Sequence, residues 1–75
     1  MQPSLTERIR VAVRDKAAER AATQQDIADL LGLHKSQITR RFNGEVDWPT
    51  AELEKLAAMW KLPIGALIPD DGEAA

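Results

Sequence analysis

Apolar positions recur at helical spacing in four stretches of the chain. Leu5, Ile9, Ala12, Val13 and Ala17 fall three or four residues apart, while Arg10 and Arg14 lie on another face. Ser4-Leu5-Thr6-Glu7 is a capping-box sequence, which places the first helix from about Leu5 to Arg20. Thr23-Gln24-Gln25-Asp26 is a weaker capping signal, with Asp where the box prefers Glu or Gln. It opens a short second helix to Leu31 whose apolar residues are Ile27, Ala28, Leu30 and Leu31. Gly32 ends that helix, because glycine takes the left-handed conformation without steric penalty. A third helix is predicted from Lys35 to Asn43, with Ile38 and Phe42 one turn apart on its inner face and Gly44 closing it.

Asp47-Trp48-Pro49-Thr50 begins a fourth helix, with Pro49 near the first turn, where its missing N–H does no harm. Leu53, Leu56, Ala57 and Trp60 form its apolar stripe and Pro63 stops it. Ile64 to Ile68 fits one more short helical turn before Pro69. The acidic Asp70–Ala75 segment is expected to fray, which leaves residues 1–69 as the domain. No run alternates with a period of two, so the expected class is all-α with no sheet.

Composition changes this picture little. A chain of 75 residues makes one domain with a small core. There are no cysteines and one histidine, so a zinc site is not expected, and no other cofactor is implied. The N-terminus has no charged segment followed by an apolar one, and no apolar run is long enough for a bilayer; a cytoplasmic location is the expectation. No glycine-rich phosphate loop is present, and paired carboxylates such as Asp70 and Asp71 lie in the tail, so an enzyme is not expected.

Charge is more informative in its distribution than in its total of −2. Residues 1–44 hold eight Lys or Arg against five acids, and residues 45–75 hold two against seven. Such a division orients a molecule on a polyanion even when the total is acidic.

The stretch from Gln24 to Asn43 carries the functional reading. It is helix, glycine turn, helix, with small Ala28 where the two helices cross, Gly32 at the turn and Ile38 as the plug from the second helix. The run Thr23 to Leu33, then Ser36-Gln37-Ile38 and Asn43-Gly44, resembles the phage repressor, Cro and xenobiotic-response-type family of DNA-binding regulators. Trp48-Pro49, Leu53 to Ala57 and Leu62-Pro63-Ile64 resemble that family's fourth and fifth helices, so the resemblance covers nearly the whole chain. It implies a compact five-helix, lambda-repressor-like bundle with a helix-turn-helix that reads operator DNA in the major groove. Arg41 departs from the pattern, since many members carry an apolar residue there; Phe42 is placed to fill that gap.

By that resemblance, His34, Lys35, Ser36, Gln37, Thr39 and Arg40 face the bases. Arg and Lys suit guanine, and Gln suits adenine. Gln24 looks like the family's phosphate clamp at a helix N-terminus, with Arg41, Asn43 and the first half of helix one as further backbone contacts. Plainer readings stand beside these. Lys35, Arg40 and Arg41 suit a solvated face, although no acid occurs from His34 to Gly44. His34 suits a helix cap, Trp48 and Trp60 suit core anchors, and the acids of helix four suit a solvent face. Arg8, Arg10 and Arg14 suit solubility as well as DNA.

The expected function is a sequence-specific regulator of the Cro or immunity-repressor type, whose partner is double-stranded DNA. An antitoxin-type regulator with a protein partner, or a pure interaction module, are the alternatives. A homodimer on a palindrome would use the surface around Met59, Leu62, Ile64, Leu67 and Ile68.

Overall fold

The computed structural model describes residues 4–68; the expected fraying of Asp70–Ala75 lies outside them. Four α-helices follow in order: α1 (Leu5–Glu19), α2 (Gln24–Leu31), α3 (Lys35–Phe42) and α4 (Thr50–Trp60). A three-residue 3-10 helix (Ile64–Ala66) takes the place of the fifth α-helix, and among the described residues there is no strand. Pro63 precedes that short helix and leaves room for a single turn before Pro69.

The helix ends follow local chemistry. Ser4 Oγ accepts from the Glu7 N–H at 3.1 Å. Thr23 and Asp26 make a full reciprocal capping box despite the Asp, with Thr23 Oγ1 accepting from Asp26 N at 3.0 Å and Asp26 Oδ2 accepting from Thr23 N at 2.9 Å. Thr23→Ala is therefore expected to destabilise the domain by about 1 kcal/mol, read as a lower urea midpoint with an unchanged slope. Gly32 sits at φ +70° and turns the chain from α2 into α3. Pro49 is the N-cap of α4 and stands just before the helix, not within its first turn.

The core is small and continuous. Val13 and Ala17 of α1, Ile27 and Ala28 of α2, Ile38 of α3, Leu53, Leu56 and Ala57 of α4, and Trp48 and Leu67 from the connections are all buried. Leu5, counted above in the apolar stripe of α1, is exposed instead, one turn short of the packed region. Ala28 is fully buried at the junction of α2 and α3, the most closely associated pair of helices. Phe42 packs on this core and meets Trp48 edge to face, with ring centroids 5.6 Å apart. Trp60 is only half-buried and stacks under the Arg20 guanidinium. No helix among the described residues is long and apolar enough to cross a membrane.

Candidate nucleic-acid interface

α3 has only eight residues, too few to hold a helix in water without outside support. Its N-terminus is held by its own side chains. His34 is the N-cap: its Nδ1 accepts from Ser36 N at 3.3 Å and lies 3.0 Å from Ser36 Oγ. Gln37 Oε1 accepts from His34 N at 2.9 Å. His34, Ser36 and Gln37 thus form a local cap while remaining exposed. The Gln37 side-chain nitrogen is left as an outward donor, since it is the oxygen that bonds the backbone.

The C-terminal half of α3 is clamped from both sides. From α1, Arg10 grips the Glu7 carboxylate with Nε and Nη2, while its Nη1 donates to the Phe42 carbonyl at 3.1 Å. That carbonyl belongs to the last turn, which has no helical partner for it. Gly44, at φ +84°, lets the chain pass this arginine; a Cβ there would lie 3.3 Å from Arg10 Nε. From α4, Glu52 receives Arg41 Nε at 2.8 Å and Arg41 Nη2 at 3.1 Å, and Arg41 Nη1 donates to the Gln37 carbonyl at 3.1 Å. Both side chains of this pair are largely covered, with 11% and 17% of their surface exposed.

These anchors divide the residues named from the sequence into groups. Lys35 and Arg40 are exposed, and their side chains bond to no described residue. Arg40 is two residues beyond the fully buried Ile38, about 200° around the helix, and so stands on the outer face. Arg41 is turned back onto Glu52. Thr39 Oγ1 donates to Gln24 Oε1 at 2.7 Å, which links α3 to the first residue of α2. Asn43 is the C-cap of α3 and lines a cleft with Gln24. Glu52 corrects the reading of the α4 acids as a solvent face, because its carboxylate faces Arg41.

Sequence reasoning missed Glu52 and the structural task of Arg10. A usable signal existed for the first: Arg41 directly precedes Phe42 of the inner face of α3, and a covered arginine calls for a carboxylate partner.

The same local geometry now has a family context. A family model described as BetR domain matches residues 3–75. The chain belongs to the BetR domain family. Neither a curated protein nor a solved structure matches it. The BetR domain is thus a small helical domain, and the whole of the described bundle falls within the match.

Proposed function

We propose that this BetR domain is a sequence-specific, duplex-DNA-binding transcriptional regulator of the repressor type, in which α2, the Gly32 turn and α3 act as a helix-turn-helix. The observation that carries this reading is the outer face of α3. Lys35 and Arg40 stand exposed and unpaired there among the described residues, while no acid occurs between His34 and Gly44. An ordinary solvated helix face intersperses both signs of charge. Here the one cation of α3 that is paired, Arg41, turns inward to its acid.

In the major groove, Lys35 and Arg40 offer donors that match guanine, and the Gln37 nitrogen and Ser36 hydroxyl supply neutral contacts. The His34–Ser36–Gln37 cap fixes where the helix starts and so how deeply it enters. Acidic residues concentrated after Gly44 repel the polyanion and favour one orientation on it. Occupancy of an operator then blocks polymerase. Two copies on a palindrome are the natural stoichiometry for this geometry. Met59 and Ile64 are exposed and available for such pairing, whereas Leu67 is fully buried and is not.

Selection of bound sites from a random duplex library tests the function. Enrichment of one motif, with affinity that falls steeply as salt rises, is expected. Failure to enrich any motif, together with salt-independent behaviour, sinks the DNA reading and favours a protein partner of the antitoxin or interaction-module kind.

A further inference from the structure

Where the end of α1, the middle of α2 and the end of α4 meet, the bundle has an open recess of about 430 Å³, and no residue of α3 borders it. Ile27 and Leu56 form its buried floor, with Leu30, Met59 and Trp60 as apolar walls. Of the large apolar residues that stand well exposed among the described residues, Met59 borders it, and Leu5, Val46 and Ile64 do not. The apolar surface is thus gathered into a recess. It does not spread as the broad patch that a protein partner covers, about 800 Å² on each side. The volume falls in the lower part of the range of small-molecule sites, about 300–1,000 Å³.

Two cations stand at the edge. The Arg20 guanidinium lies 5.6 Å from the centre of the Trp60 ring. Its Nη1 donates to the Lys16 carbonyl and approaches Glu19, which leaves Nε and Nη2 without a partner among the described residues. Lys61 is exposed, and its ammonium is likewise unpaired among them. The acid at the edge, Asp26, is tied to the Thr23 N–H in the capping box of α2.

Lys61 stands there against the preference of its backbone. It sits at φ +56° and Ala21 at φ +54°; these are the non-glycine residues of positive φ among the described ones, and both border the recess. α1 and α4 close in the same way, with Ala22 N–H donating to the Ala17 carbonyl at 2.9 Å and Leu62 N–H to the Ala57 carbonyl at 2.8 Å. Glycine is the residue this turn favours. Residues held in such conformations cluster at ligand sites. What lysine supplies here, and glycine does not, is a positive charge at the mouth of an apolar recess.

We propose that this recess binds a small apolar acid, an apolar body ending in one carboxylate. The body lies against Leu30, Met59 and Trp60, and the carboxylate faces Lys61 and the free edge of Arg20. The site is separate from the outer face of α3 and stands whether or not the duplex reading holds.

The test is a titration of the isotope-labelled full chain with decanoate, below its micelle threshold, followed by amide and indole NMR signals. Trp60→Phe identifies the Trp60 indole signal. Saturable shifts of that signal and of the Ala21, Ala22 and Lys61 amides are expected, with the Trp48 indole unmoved. Decyltrimethylammonium, with the same chain and the opposite charge, is expected to give none. Lys61→Gly is expected to raise the urea midpoint, because glycine suits φ +56°, and yet to weaken decanoate about threefold. Met59→Glu puts a carboxylate on an exposed wall and is expected to abolish saturation, at parent-like helix content by circular dichroism. Equal shifts from both amphiphiles, shifts spread over the whole molecule, or none at all overturn the site. Parent-like decanoate binding by Lys61→Gly leaves the lysine serving the negative end of α4 alone and overturns the carboxylate contact. Shifts of the same signals on concentrating the protein without decanoate show a second copy on the recess and overturn the small-ligand assignment.

Discussion

Replacing Glu52 by Ala is expected to destabilise the domain by about 2–4 kcal/mol, the largest stability loss from any polar substitution in the bundle. The carboxylate accepts two hydrogen bonds from Arg41, at 2.8 and 3.1 Å, in a setting where only 11% of the arginine side chain is exposed. Truncation leaves that guanidinium covered and uncompensated. Breaking a fully buried pair costs about 3–5 kcal/mol, and the residual exposure here lowers the figure somewhat. The converse also follows. Arg41→Met together with Glu52→Leu removes both charges and is expected to recover most of the loss, so the two single changes are strongly non-additive. Urea unfolding of the four species measures the coupling. Additive effects in the cycle would show that the pair is solvated and does not hold α3 against α4.

This anchor explains why parts of the domain were legible in the sequence and others were not. The elements were readable because their signals are local. Ser4 and Thr23 mark helix starts, Gly32 marks the turn, and Ile38 and Phe42 lie one turn apart on a face that must be covered. The class of fold followed from these. The placement of individual charges did not, because it depends on partners far along the chain. Arg10 reaches the end of α3 from 32 residues away, and Arg41 meets Glu52 across 11 residues. A helical wheel shows Arg40 and Arg41 as neighbours of equal character. Packing makes one a solvent-facing cation and the other part of the interior. The same holds for the polar cap of α3. His34, Ser36 and Gln37 read as groove-facing residues by resemblance, yet each also bonds within the turn. Leu5 shows the opposite error, a residue in phase with the apolar stripe that lies beyond the end of the core.

Arg40→Ala is expected to produce the largest change in specificity, with little change in stability. The side chain is exposed and bonds to no described residue, so its loss disturbs no packing. Its outward direction is fixed by Ile38, which has no exposed surface and sits about 200° away on the same helix. A guanidinium so placed can donate two parallel hydrogen bonds to the N7 and O6 of one guanine. On the selected operator its removal is expected to cost about 1–3 kcal/mol. On unrelated duplexes the cost is smaller, because a base contact is absent there. A repeat of the site selection with the variant should lose information at one base position in each half-site and keep the rest of the motif. The contrast with Arg41 sharpens the test. Arg41→Ala is expected to weaken binding to every duplex only as far as it loosens α3, and its urea midpoint falls in step. Equal losses on operator and random duplex for Arg40→Ala, at unchanged stability, would place Arg40 on the phosphate backbone. Base reading would then pass to Lys35, Ser36 and Gln37 at the other end of the helix.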